Sequence, residues 1–81
     1  MKIKDTIGID ISKLTFDVRI HSNQDYRVFD NSIKDFKELT KWAFKSSAFS
    51  KDEIIFVFEH TGLYSYELAV YLAEQNIPFA L

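Results

Sequence analysis

The chain has 81 residues, enough for one domain at most, and a formal net charge of −2, so its surface on its own does not attract a polyanion strongly. Apolar residues make up 47%, with eight Phe, four Tyr and one Trp, which argues against a disordered chain, and the absence of Cys excludes disulfides and thiolate metal sites. The first residues do not read as a signal peptide, and the longest purely apolar run, Ile54 to Phe58, is too short to cross a bilayer, so a cytoplasmic protein without membrane contact is expected.

Residues 5–11 form a short β-branched run and read as a strand. Leu14, Phe16, Val18 and Ile20 then alternate with Thr15, Asp17, Arg19 and His21, which predicts a second strand with one dry face. Ser22-Asn23-Gln24-Asp25 reads as a hairpin turn, and Tyr26 to Phe29 as a third strand closing at Asp30-Asn31. Ser32 can cap a helix, with Asp35 completing a weak capping box. Ile33, Phe36, Leu39, Ala43 and Phe44 recur at helical spacing, and that helix should end near Ser46-Ser47. The connection over 47–53 is polar, with Phe49 as an anchor onto the core.

The run 54–58 is apolar at every position, as in a central strand covered on both faces. Thr61-Gly62 reads as a turn and helix-cap device. A second helix from Tyr64 to Gln75 should turn Tyr64, Leu68, Tyr71 and Leu72 inward, stop at Asn76 and be barred from continuing by Pro78. Phe79-Ala80-Leu81 begins a further strand. The order β-β-β-α-β-α-β predicts an α/β fold with a mixed sheet in the order 3-2-1-4-5 and right-handed crossovers, the opening of a ribonuclease H-like fold.

Two of these strands end in an acid. Asp10 follows Thr6-Ile7-Gly8-Ile9, and Glu59 follows Ile54 to Phe58. A carboxylate at the end of an apolar strand is costly to desolvate without compensation, and two that face each other call for a cation between them. Carboxylate oxygens suit hard divalent ions such as Mg²⁺ or Mn²⁺, so Asp10 and Glu59 are the candidate metal-ligating and catalytic residues. Asp10 could also simply end a strand, and Glu59 could be an acid favoured by the dipole of the following helix. Ser12 and Lys13 read as turn formers, with a phosphate contact from Lys13 as the alternative, and His21 and His60 as exposed residues without a partner at ligand spacing.

Gly8-Ile9-Asp10-Ile11-Ser12-Lys13, followed by Phe16-Asp17-Val18, resembles the start of the RuvC-like DEDD insertion-sequence transposases, the recombinases related to the Piv invertases. Glu59-His60-Thr61-Gly62-Leu63-Tyr64 resembles their second signature, and Phe29-Asp30-Asn31, Phe36, Leu39 and Trp42 match the lead into their first helix. Asp35 departs from the pattern, since relatives often have Gly there. The resemblance implies a DNA transposase or site-specific recombinase with Asp10 and Glu59 as its first two acids and Mg²⁺ as its cofactor. It implies DNA as substrate, a structured guide RNA in some members, and a homo-oligomer. It also implies that residues 1–81 are the N-terminal portion of one ribonuclease H-like domain, with two further aspartates beyond Leu81, so that this piece alone is inactive and exposes an apolar patch prone to self-association. On that reading the basic contacts to nucleic acid are expected outside this segment.

Two other readings fit the same element order. An actin- or sugar-kinase-like ATPase would need a glycine in the phosphate loop, where this chain has Ile11-Ser12. A non-catalytic interaction module would keep the fold without the chemistry.

Overall fold

In a computed structural model, which describes residues 2–59 and 62–81, alternation along the strands decides which side of the sheet is dry. The strands are β1 (Asp5–Ile11), β2 (Thr15–Ile20), β3 (Tyr26–Asp30), β4 (Ile54–Phe58) and β5 (Phe79–Ala80). They form one sheet in the order β3-β2-β1-β4-β5. The three N-terminal strands pair antiparallel, whereas β4 joins β1, and β5 joins β4, in parallel. Helices α1 (Ile33–Ser46) and α2 (Tyr66–Glu74) form the crossovers into the parallel strands. The mixed α/β sheet and its order are those that the sequence predicts. No helix among the described residues is long and apolar enough to cross a membrane.

Ile7, Ile9, Phe16, Val18, Ile20, Phe29, Ile54, Phe56 and Phe58 point to one side and are buried. Phe36, Leu39 and Ala43 of α1 and Leu68 and Leu72 of α2 close over them in a single cluster. Phe36 stacks on Phe16 with ring centroids 5.6 Å apart, and Phe44 meets Phe56 edge-on at 5.8 Å. Phe49 and Trp42 pack against the same cluster, so all eight Phe serve the core.

Among the described residues no helix covers the other side of the sheet. Val28, Val57 and Tyr26 are exposed there and Ile55 is only partly covered, so β4 is dry on one face, not on both as its uniform apolarity suggests. An all-apolar strand reports what the sequence can bury, and these residues cover only one face of it.

Three residues expected inside lie outside. Leu14 is 73% exposed because the chain folds tightly before β2 starts: the Ser12 hydroxyl accepts from Thr15 N (3.2 Å), and Ser12 N donates to Thr15 O (2.9 Å), leaving Leu14 at the tip. Ile33 is 69% exposed at the first position of α1, whose buried residues begin only at Phe36. Tyr64 is 48% exposed, since it lies in a 3₁₀ turn (Gly62–Ser65) and the helical period begins only at Tyr66.

The ends of α1 and α2 follow local chemistry. The Ser32 hydroxyl accepts from Asp35 N (3.4 Å), as a cap does, but the Asp35 carboxylate reaches Asp30 N (2.8 Å) rather than Ser32 N, so the reciprocal box is not formed. Asn76 has a φ of 57°, and Ile77 N donates to Leu72 O (2.9 Å), a left-handed helix stop of the kind Asn tolerates. A further 3₁₀ turn, Lys51–Glu53, leads into β4 at the end of the polar connection. The readings on His60 and Thr61 lie outside the described residues.

One buried ion ties the elements together. Asp5, at the start of β1, is 2% exposed. Its Oδ1 accepts from the backbone N–H of Thr6 and Ser22, both at 2.9 Å, and its Oδ2 from the hydroxyls of Ser22 and Ser47, both at 2.6 Å. Burial pushes its pKa up, but these bonds outweigh it and hold the carboxyl below its ordinary value.

Candidate active site

Strand β1 presents Thr6, Gly8 and Asp10 to the open side of the sheet, because Ile7 and Ile9 are committed to the core. The parallel register sets Gly8 beside Val57 and Ile9 beside Phe58. Asp10 and Glu59 are therefore the next step, at the carboxyl ends of two adjacent strands spaced about 4.8 Å apart. Both are exposed, and both line one open cleft of about 760 Å³. Residues far apart in the chain are thus brought to the same place.

The antiparallel hairpin adds residues that sequence reading did not pick out. Asp17 lies directly opposite Asp10, and Arg19 opposite Gly8. Tyr26 in turn lies opposite Arg19. Asp17, Arg19 and Tyr26 all line the cleft. The signal for them was the period of two in β2, but polar residues on the wetter face of a half-buried strand are ordinary. Only the pairing register shows that this face continues the one bearing Asp10.

The electrostatics follow from this row. Asp10 and Asp17 are like charges in directly opposed positions, an arrangement that disfavours the pair. A hydrogen bond to the Asp17 carboxylate raises the pKa of Tyr26 above its ordinary 10.0, and the neighbouring Arg19 works against that rise. The Arg19 guanidinium lies over the Tyr26 ring, 5.0 Å from its centroid. Asn31 braces the loops around the cleft: its Nδ2 donates to Ser12 O (3.1 Å) after β1 and to Tyr64 O (3.0 Å) after β4. Lys13 is exposed at the β1–β2 turn, and His21 is exposed at the far end of β2.

The oxygen donors of Asp10 and Glu59 suit a hard divalent cation in kind and in position. Among the described residues no group of three or more His, Asp or Glu side chains is gathered closely enough to hold a metal ion. The two acids thus offer part of a coordination shell, which water, substrate or further acids would have to complete. No protein-family model matches the chain, and no curated protein matches it.

Proposed function

We propose that this chain is the N-terminal part of a ribonuclease H-like, RuvC-type DEDD transposase or recombinase domain, with Asp10 and Glu59 as two ligands of a divalent-metal site that acts on DNA. One observation carries the reading. The two acids, each ending an apolar strand, come together at the carboxyl ends of adjacent parallel strands on an uncovered face. In open α/β sheets, ligands bind outside the carboxyl ends of the strands. The sheet order, with three antiparallel strands followed by two parallel ones, supports the ribonuclease H-like assignment.

In this reading Asp10 and Glu59 would hold the ion, and Mg²⁺ or Mn²⁺ would supply charge to the oxygens of a phosphodiester undergoing displacement. The pairing of β1 with β4 puts Asp10 and Glu59 at neighbouring backbone positions. Gly8, with no side chain, leaves the floor of the cleft low beside Asp10. The Asn31 bonds hold the flanking loops in place. The other aspartates that the resemblance calls for are proposed to come from outside residues 1–81, and the uncovered face is proposed to meet the rest of such a domain or a second copy. A guide RNA and a cytoplasmic setting belong to the same proposal.

The test is a Mn²⁺ titration of the isotope-labelled chain. The expected result is paramagnetic broadening centred on the amides near Asp10 and Glu59. Stabilisation should also appear, by about 2.7 kcal/mol at a hundredfold excess over Kd. Asp10→Asn or Glu59→Gln should each remove both effects. Broadening centred elsewhere, or unchanged in both variants, would leave the interaction-module reading in its place.

A further inference from the structure

The open face of the sheet is organised in two rows that run across the strands. One row holds Val28, Asp17 and Asp10, with Glu59 at the next step of β4. The other holds Tyr26, Arg19, Gly8, Val57 and Ala80, each beside the next through successive pairings. The rows are two residues apart along the strands, about 7 Å.

The second row has a particular shape. The Arg19 guanidinium sits over the Tyr26 ring, 5.0 Å from its centroid, and its Nη1 donates to Gln24 O (3.5 Å), so it is steadied from two sides. Beside it, Gly8 leaves a gap: a Cβ built there would meet nothing closer than Arg19 O at 4.0 Å. Val57 forms the far wall of that gap. The result is a low point in the row at Gly8, with the cation-on-ring contact beside it. Arg19 is the one cation among the described residues lining the cleft, against Asp10, Asp17 and Glu59, and no carboxylate among the described residues forms an ion pair with it.

We propose that the Arg19–Tyr26 stack and the Gly8 gap form a seat for a single strand of nucleic acid, with Arg19 engaging a phosphate and its stacked plane receiving a base. The inference deepens the reading above and rests on it for the role of the neighbouring acids. A polyanion entering an acid-lined cleft needs fixed positive charge, and a guanidinium presents several donors to a phosphate without losing its stacking surface. Flat aromatic and arginine planes accept bases regardless of sequence. Bases in a duplex are stacked on one another, so only an unpaired base is free to lie on the Arg19 plane. The seat also places a basic contact inside this segment, where net charge alone gave no reason to expect one.

The experiment is fluorescence anisotropy of labelled dodecathymidylate with the whole chain in Mg²⁺, beside dodecauridylate and a hairpin duplex. The single strand should bind more tightly than the duplex. Arg19→Gln should weaken binding about tenfold and lower the salt slope by about 1, and Tyr26→Leu should weaken it about tenfold. Arg19→Lys should restore the salt slope without the full affinity. Both positions are exposed, and circular dichroism checks that the fold is kept. Binding of either the deoxy or the ribo strand through these two residues supports the seat, and their ratio names the natural ligand. No binding, a duplex preference, or unchanged affinity in Arg19→Gln overturns it. The Mn²⁺ response separates the two proposals. Strand binding that depends on Arg19 without metal broadening sinks the metal site alone, and metal broadening without strand binding sinks the seat alone.

Discussion

Replacing Asp5 tests how the sheet is fastened to its first helix. The two backbone donors on Oδ1, Thr6 N and Ser22 N, cannot turn away, whereas the two serine hydroxyls on Oδ2 can rotate and act as acceptors. Asp5→Ala leaves the proton of the buried Ser47 hydroxyl without its acceptor and removes the group that joins β1 to the Ser22 turn and to the end of α1. Hydrogen bonds to a charged group are worth about 1.5–3 kcal/mol each, but part of that offsets the cost of burying the charge, so the net loss should be about 3 kcal/mol. For a chain of this length, whose total stability is expected to be roughly 4–12 kcal/mol, that moves the thermal midpoint by on the order of 15 °C. Asp5→Asn can keep its oxygen on the two backbone donors and turn its amide toward the two hydroxyls, so it should cost only about 1 kcal/mol. Because the folded carboxyl is held below 3.8, its contribution is present above that pH and lost as pH falls through the depressed value. The gap between wild type and Asp5→Ala should therefore narrow on acidification. Urea unfolding followed by circular dichroism across pH measures all three. An alanine variant within 1 kcal/mol of wild type at neutral pH, or an asparagine variant as damaged as the alanine one, would refute the reasoning.

Gly8→Ala should change stability by less than about 1 kcal/mol, since the added methyl enters open space; a loss above about 2 kcal/mol in the same unfolding assay would mean that this face is covered. Asn31→Ala should cost about 1–2 kcal/mol and speed hydrogen exchange at residues 12–15 and 63–65, the two loops it braces, while unchanged exchange there would deny it that role. The Lys4 ammonium, 2.9 Å from Glu53, and the Ser50 donors hold the Glu53 carboxyl down at about 2. Stability from Glu53 is thus present above 4.5 and lost as pH falls toward 2, so Glu53→Gln should flatten the thermal midpoint against pH over that window. An equally steep acid limb in the variant would count against the pairing.

The sequence by itself determined the elements and their order. Period two in β2, an apolar run at β4 and helical spacing in α1 are local signals, and the hairpin and parallel crossovers follow from short connections and handedness. It also placed Asp10 and Glu59 at strand ends, and the parallel pairing of β1 with β4 set them side by side. Local periodicity failed at Leu14, Ile33 and Tyr64, each next to an element boundary where a turn takes over from the repeat.

Tertiary structure alone decided which acids and cations share a face. Asp17, Arg19 and Tyr26 join the cleft through cross-strand register, a relation between strands that no single strand carries in its own pattern. It also decided that β4 is dry on one side only and that Asp5 is a buried pin rather than one more surface acid. Burial depends on what lies opposite, and a residue's neighbours along the chain do not specify its neighbours across the sheet.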